Sequence, residues 1–290
     1  MEKEAKRAQI YPISAERELH RVYRAYSLVV LKATVPHIKK ILEMYESKTR
    51  TDSRFDDVEN FRTELMKEIL NLADDVEDAV SPFSATQMIS RVGKIAKTAS
   101  LNDWFKLLKD TIGVTPVREF YDDLMSDAMN MWVSNNVSYV QSIPKDLQKD
   151  LTDIILWGYT TKQPMVNVYN RIQKRLGVEQ SKAKAIARDQ MGTLNAQMMR
   201  YEQESAGVKK YKWKTRRDSR VRNSHRLLEG LVFSWDNPPA MSYETKSKGI
   251  VYTGRFCHPG EDYGCRCTAV PIFDSEVAAA KLLSQRSTAR

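Results

Sequence analysis

The chain has 290 residues, of which 42% are hydrophobic and 29% are charged, and its mean hydropathy is −0.52. This length suffices for two domains of ordinary size. The longest aliphatic run, Leu28–Leu31, is far shorter than the ~20 apolar residues that span a bilayer, and the charged segment 1–9 precedes no apolar stretch. The composition therefore excludes a membrane-spanning chain and argues against a secretory signal.

The formal net charge of +9 belongs entirely to the last part of the chain. Residues 1–180 carry 26 basic and 26 acidic side chains, whereas residues 181–290 carry 20 and 11. All three cysteines also lie in this part, between Cys257 and Cys267. An odd number of clustered thiols argues against a disulfide framework. The pattern predicts a neutral N-terminal region and a basic, cysteine-containing C-terminal module.

Helical periodicity dominates residues 1–206. Pro36 is expected to kink or end the first helix, a polar connector is expected over 43–57, and Ser84 is expected to cap the third helix. Pro116, Pro144 and Pro164 are expected at first helical positions, and Gly207 at the end of the last helix. The predicted helices span residues 15–42, 58–80, 84–99, 102–112, 115–141, 144–158, 164–176 and 181–206.

Strand signals begin after Gly207. Val208–Trp213 alternates apolar and basic residues, which is typical of a half-buried strand, and 231–233 and 268–273 are two further short strands. A closing helix is expected over 277–284. The predicted fold class is α+β, with a mostly helical N-terminal region followed by a small, basic, Cys/His-containing α+β C-terminal module. The predicted divisions are 1–142, 143–275, and 276–290 as a C-terminal helix and loose tail.

Thiol and imidazole groups gather between residues 225 and 267. Zinc prefers such ligands in tetrahedral sets of four, so His225, Cys257, Cys265 and Cys267 predict a structural Cys3His site, with His258 as a substitute for Cys257. One residue separates Cys265 from Cys267, whereas two residues separate the paired cysteines of ordinary zinc motifs. Two alternatives therefore stay open: buried thiols beside a packing histidine, and a redox or disulfide role.

The most basic stretch of the chain predicts contact with nucleic-acid phosphates. Tyr211 and Trp213 lie within it, and their alternation with lysines favours the core for both rings. His225 near Asp218 and the arginines also permits a general base, as in a metal-dependent nuclease. The predicted nucleic-acid contacts are Lys209, Lys210, Lys212, Lys214, Arg216, Arg217, Arg220 and Arg222.

Residues of roughly 145–275 resemble the phage Mu F-like minor head protein family, also called the phage head morphogenesis family. The likeness rests on the order and spacing of several elements, ending in Cys265-Arg266-Cys267-Thr268. Relatives carry Cys at the position of His225 and sometimes at that of Arg222, so Arg222 departs from that pattern. The matching signature residues are Arg188, Trp213, Asp218, Arg220, Gly230, Pro259 and Arg266.

The resemblance implies a structural virion component, not an enzyme. It implies a minor capsid protein that lies at the portal or in the capsid interior. Its partners would be the portal protein and the major capsid or scaffold proteins, and it would also contact packaged double-stranded DNA. No membrane would be involved. The resemblance also implies assembly in the host cytoplasm and a homo-oligomer or ring with portal symmetry. Residues 1–142 would dock onto the portal or capsid. The alternatives are a metal-dependent nuclease and a DNA-binding zinc module without a virion role.

Overall fold

The structure is a computed structural model that describes residues 1–49, 55–79, 81–161, 163–245, 247 and 249–288. Its helices are α1 (Ile13–Thr49), α2 (Phe55–Ala79), α3 (Pro82–Ile112), α4 (Arg118–Leu124), α5 (Ser126–Thr160), α6 (Met165–Ser205), α7 (Asn223–Arg226) and α8 (Ser275–Thr288). Its strands are β1 (Glu2–Glu4), β2 (Lys210–Lys214), β3 (Val232–Ser234), β4 (Ala240–Thr245), β5 (Gly249–Phe256) and β6 (Thr268–Asp274). Long helices thus precede a small β-containing module, which confirms the predicted α+β class.

The helices are longer and fewer than the sequence predicts. Helix α1 runs through Pro36 to Thr49, so of the two outcomes predicted for Pro36, a kink or an end, the end is wrong. The start of the connector predicted over 43–57 is wrong as well. Buried Thr34 and Ile38 flank Pro36, and the packing of this face outweighs the hydrogen bond that proline removes. Residues 50–54 of that connector lie outside the described residues. Among the described residues, no helix has the length and apolar character to span a bilayer.

Other predicted helix boundaries are also wrong. Pro116 is not a first helical residue, because α4 begins at Arg118. The segments 84–99 and 102–112 form the single helix α3, and its cap is Ser81 rather than Ser84, because the hydroxyl oxygen of Ser81 accepts from the backbone amide of Ser84 (3.5 Å). Pro144 lies within α5, between the buried residues Ile143 and Leu147. The segments 164–176 and 181–206 form the single helix α6. In α3 and α5 the burial of one helix face continues across the local break in propensity, as the buried residues Ser100 and Leu101 show for α3.

Gly207 ends α6, as predicted. Its φ of +78° is a conformation that glycine adopts without steric cost. The amide of Gly207 donates to the carbonyl of Glu204 (3.0 Å), and the amide of Val208 donates to that of Gln203 (2.9 Å). This pair of bonds is the Schellman arrangement, which turns the chain from α6 into β2.

The main sheet has four strands in the order β1-β6-β2-β3, and every neighbouring pair is antiparallel. Strand β2 pairs with β6 from Lys210–Ile272 to Lys214–Thr268, and its side chains alternate between core and surface. Strands β4 and β5 form a separate antiparallel hairpin. The predicted strands at β2, β3 and β6 are confirmed, whereas β1, β4 and β5 were not predicted.

Contacts divide the chain into two compact units. The sheet unit contains Met1–Arg17, Arg91–Trp132 and Arg188–Arg290, and the helical unit contains Glu18–Ser90 and Val133–Ala187. The core of the helical unit includes Tyr23, whose hydroxyl hydrogen-bonds Asn136 and whose ring lies 5.2 Å from that of Tyr139. The boundary predicted at residue 142 stays a prediction.

The core of the sheet unit is aromatic. Trp104 stacks on Phe273 at 6.0 Å, and the rings of Tyr211 and Trp213 are fully buried. The expectation that these two rings of β2 lie in the core is therefore confirmed. Burial of large rings on the inner face of β2 orients its lysines outward.

Candidate functional site

Three of the predicted metal ligands meet at one point of the sheet unit. His225 lies on the single-turn helix α7, and Cys265 and Cys267 lie in the loop that leads into β6. The Nδ1 atom of His225 is 3.4 Å from the Sγ atom of each cysteine, and all three ligand atoms lie within 4.8 Å of one another. All three side chains are buried. Such a group can hold a metal ion.

Hydrogen bonds of the backbone fix the positions of the two sulfur atoms. The amide of Cys265 donates to the carbonyl of Asp262 (2.8 Å), and Gly264, at φ +61°, donates its amide to the carboxylate of Asp189 (2.6 Å). Two residues further on, the amide of Cys267 donates to the Sγ atom of Cys265 (3.4 Å). The loop therefore brings both thiols to one side even though only one residue separates them.

Asp262 fixes the orientation of the imidazole. Its Oδ2 atom is 3.1 Å from Nε2 of His225, the ring nitrogen that faces away from the sulfurs. Arg222 (2.8 Å) and Arg255 (2.9 Å) donate to the same carboxylate, which is buried. A proton on Nε2 leaves the Nδ1 lone pair directed at the thiols, the arrangement in which metal-binding histidines are held by a carboxylate. Neither Asp262 nor Arg255 was predicted, because no spacing rule marks such a partner.

The pKa values of the three side chains in the cluster are shifted in different directions. Hydrogen bonding from Cys267, and then from His225, lowers the pKa of Cys265 to about 4 despite its burial. Hydrogen bonding to Cys265 and burial raise the pKa of Cys267. Burial opposes the charged imidazole, but hydrogen bonds to Cys265 and Asp262 outweigh it and raise the pKa of His225. Thiolate character at Cys265 is what a metal ligand requires.

The other two predicted ligands are not part of this group. Burial raises the pKa of Cys257 to about 12, so it is held as a thiol. The Nδ1 atom of His258 is 2.8 Å from the hydroxyl of Tyr211, and the His258 ring lies 4.9 Å from that of Trp235. His258 therefore packs in the aromatic core beside β2.

A small cavity of about 50 Å³ adjoins the cluster. Its lining includes His225 and both cysteines, and the side chains of Arg216, Arg220 and Arg222. On another side of His225, the ring of Trp213 stands edge-on at 5.7 Å. The cluster thus has an aromatic ring in contact with His225 and three arginines around the adjoining cavity.

The predicted nucleic-acid contacts separate into groups. Glu2 and Glu4 of strand β1 form ion pairs with Lys210 (3.1 Å) and Lys212, while Lys209 is exposed. Arg222 donates to Asp262, as described above. The remaining four line a second, larger cavity of about 480 Å³; they are Lys214, Arg216, Arg217 and Arg220.

The residues of the family signature have structural partners. Arg266 forms two hydrogen bonds of 2.7 Å with the carboxylate of Asp218, and these hold the pKa of Asp218 down at about 2. Gly230 turns the chain at φ +78° and donates its amide to the carbonyl of Trp213 (2.8 Å). Arg188 lies 3.8 Å from Glu16, and Pro259 is buried. The Asp218–Arg266 pair ties the basic loop after β2 to the loop that carries the cysteines.

Comparison with known proteins agrees with the resemblance inferred from the sequence. Residues 145–270 match the family model described as Phage Mu protein F like protein. An uncharacterized protein of Haemophilus influenzae (strain ATCC 51907 / DSM 11121 / KW20 / Rd) is 28% identical over 151 residues. The match covers 52% of this chain and 31% of that relative, so the chain spans about a third of the relative's length. No solved structure matches the chain.

Proposed function

From the premise that residues 145–270 form a Phage Mu protein F like segment, we propose that the protein is a structural minor capsid component in head morphogenesis of a tailed phage. The role is structural rather than catalytic. The protein joins the head in the host cytoplasm and stays in the virion, at the head interior or the portal vertex. Its partners are the portal protein and the major capsid or scaffold proteins, and its copies follow the portal symmetry. The family match carries this proposal.

The helical unit supplies the surface that docks onto the portal or capsid. Large apolar side chains are exposed on its helices, including Val35 of α1 (57%), Leu70 of α2 (57%) and Phe83 of α3 (72%). A docking surface requires such side chains to form one contiguous apolar patch, and we place these three side chains in it. A nearly balanced charge over this part of the sequence also suits a protein partner more than DNA.

Co-sedimentation with procapsids tests the head role. The protein is expressed together with the head genes of the phage that encodes it, and procapsids and portal rings are purified. We expect the wild-type protein in both fractions and expect Leu70→Asp to reduce its amount severalfold. The matched control is Asn71→Asp, which adds the same charge at the neighbouring exposed position of α2. A wild-type protein that stays in the free fraction contradicts the proposal.

The basic part of the sheet unit faces packaged DNA or the portal channel. Lys209 and the four residues that line the larger cavity present positive charge that acidic residues do not cancel completely. Phosphate contacts of this kind give affinity without sequence recognition. Binding to unrelated duplexes should therefore weaken steeply as salt increases. Binding that does not change with salt contradicts an electrostatic contact.

The cluster of His225, Cys265 and Cys267 holds zinc. A tetrahedral ion with bonds of about 2.05 Å to nitrogen and about 2.3 Å to sulfur separates those ligand atoms by about 3.6 Å. The two Nδ1–Sγ distances in the structure are 3.4 Å, which fits this value. Thiolate and imidazole are also the donors that zinc prefers. When bound, zinc supplies a cross-link between α7 and the loop before β6.

Elemental analysis of the purified protein tests the zinc site. We expect about one zinc per chain in the wild type, much less in His225→Ala, and an unchanged amount in the control His258→Ala. A chelator should unfold the sheet unit more than the helical unit. Zinc well below half an equivalent in protein purified without chelators contradicts the assignment.

A metal-dependent nuclease is the second candidate. Three protein ligands leave one position of a tetrahedral ion open, as in catalytic zinc sites, and the arginine-lined cavity of about 50 Å³ adjoins the cluster. A plasmid-nicking assay discriminates between the two functions. Nicking that His225→Ala abolishes favours the nuclease. Absence of nicking by the zinc-loaded wild-type protein favours the structural role or a DNA-binding zinc module without a virion role, which procapsid co-sedimentation separates.

A further inference from the structure

The larger cavity of the sheet unit has an unusual concentration of positive charge. Its volume of about 480 Å³ lies within the range of roughly 300–1,000 Å³ that is usual for small-molecule sites. Seven of its lining side chains are basic and only one, Glu16, is acidic. The basic side chains come from four distant parts of the sequence: the segment before α1, helix α6, the end of β2 with the loop that follows it, and the loop before β6. The fold therefore gathers these cations around one concave space.

Acidic neighbours neutralise only part of this charge. Four carboxylates pair with five of the seven cations: Asp103 with Arg7, Glu16 with Arg188, Glu229 with Arg217, and Asp218 with both Arg220 and Arg266. Lys214 and Arg216 have no ion-pair partner among the residues that the structure describes. The cavity therefore keeps an excess of three positive charges over its paired carboxylates, which favours an anionic ligand.

The loop that carries these cations is held in a strained conformation. Arg217 has a φ of +57°, a left-handed conformation that side chains other than glycine seldom adopt. Hydrogen bonds maintain it: the amide of Thr215 donates to Glu229 (2.6 Å), and the amide of Arg217 donates to the hydroxyl of Thr215 (3.3 Å). Strain of this kind persists where the surrounding structure enforces it, and it is frequent in ligand sites. The loop positions its charges before any ligand arrives.

One wall of the cavity is apolar. Ile10 and Ile13 line it with 63% and 43% of their surfaces exposed, and the ring of Tyr11 lies between them in the sequence. The hydroxyl of Tyr11 donates to the carbonyl of Arg188 (3.5 Å), and burial raises the pKa of this phenol, so it remains neutral. Apolar side chains and cations that line the same cavity suit a ligand with a flat ring at one end and phosphates at the other.

We propose that this cavity is a nucleotide-binding site, in which Lys214 and Arg216 bind the phosphates and Ile10, Tyr11 and Ile13 contact the base. The ligand is a free nucleotide or the phosphorylated end of a DNA strand, since both present the same phosphate chemistry. The inference deepens the proposed DNA contact by naming the unit that is bound. It needs neither zinc at His225 nor attachment to a capsid.

Direct binding to the full chain tests this site. The probes are ATP, inorganic triphosphate, and a short DNA strand with and without a 5′-phosphate, all at about 0.15 M salt, where exposed charges are largely screened. The test variant is Lys214→Ala/Arg216→Ala, which removes two cations that stabilise no ion pair. The matched control is Lys3→Ala/Arg91→Ala, which removes one exposed lysine and one exposed arginine of the same unit, both outside the cavity and outside the proposed DNA contact. Urea unfolding verifies that both variants fold.

The expected result is saturable binding that weakens at least tenfold in the test variant and stays within twofold in the control. Binding of ATP identifies a free nucleotide as the source, and preference for the 5′-phosphorylated strand identifies a DNA end. The inference is overturned if neither ATP nor the DNA strand binds. It is also overturned if the control variant loses as much affinity as the test variant, or if inorganic triphosphate binds as tightly as ATP. Procapsid co-sedimentation of the test variant is measured in parallel, so that failure of the head role is distinguished from failure of this site.

Discussion

Asp262 offers the sharpest test of the metal cluster, because one substitution removes the carboxylate that orients His225 without touching a ligand. In the wild type the Oδ2 atom of Asp262 lies 3.1 Å from Nε2 of His225 and accepts from Arg222 at 2.8 Å, while Oδ1 accepts from Arg255 at 2.9 Å. Asp262→Asn keeps the size of the side chain. It replaces one carboxylate oxygen by an amide nitrogen, which donates hydrogen bonds and cannot accept them.

The expected loss follows from these contacts. The side chains of Arg222 and Arg255 are 45% and 60% exposed, so water replaces much of what they lose, and the direct cost in stability is small. His225 is buried and has no such replacement, so its ring loses a fixed orientation and a fixed proton. Loss of a carboxylate that orients a metal-binding histidine lowers metal affinity by about 10–100-fold, which corresponds to about 1.4–2.7 kcal/mol.

Zinc affinity is measured by competition with a chromophoric chelator at pH 7.5. The control is Asp236→Asn, which removes an exposed carboxylate of the same unit and should change the affinity by less than twofold. Circular dichroism verifies that both variants keep the wild-type fold. If Asp262→Asn retains the wild-type zinc affinity, the orienting role of Asp262 is refuted. If the wild-type protein binds no zinc, the whole account of the cluster is refuted.

Three further predictions concern stability. Burial raises the pKa of Glu202 to about 8, so the native protein keeps a proton that the unfolded chain releases above its ordinary pKa of 4.5. Stability should therefore fall by up to about 1.4 kcal/mol per unit as pH rises from about 4.5 to about 8, and Glu202→Gln should flatten that slope in urea titrations; parallel slopes would contradict this. Gly260→Ala places a methyl group 2.7 Å from the Cβ atom of Ala196 at a φ of +90°, and it should lower the free energy of unfolding by about 2–4 kcal/mol in urea titrations. The control Gly264→Ala, at a φ of +61° with no neighbouring atom within 4 Å, should lower it by about 1 kcal/mol. Equal costs would mean that the close contact has no effect. Pro36→Ala should raise the free energy of unfolding by about 1–3 kcal/mol, because alanine restores the backbone hydrogen bond that proline removes from α1. A lower urea midpoint would show that proline is required there.

The α+β class was predictable from the sequence, and the match of residues 145–270 to the Phage Mu protein F like model agrees with the resemblance found there. Alternation of apolar and basic residues predicted strand β2, and the conformational freedom of Gly207 predicted the end of α6. The helix boundaries at Pro36 and Pro144 were wrong, because a rule based on local propensity does not include the burial of neighbours such as Ile38 and Ile143. Strand β1 consists of three exposed residues, and it exists only because β6 pairs with it.

The same division holds for the functional residues. Residue type alone identified His225, Cys265 and Cys267 as candidate ligands, since thiolate and imidazole are chemically recognisable without coordinates. Their meeting point, the exclusion of Cys257 and His258 from it, and the support by Asp262 depend on contacts between residues about 40 positions apart. Net charge and its place in the sequence predicted a basic surface. Only the tertiary structure decided that Glu2 and Glu4 neutralise two of its lysines while Lys214 and Arg216 face a cavity, because ion pairing depends on distance in space and not on order along the chain.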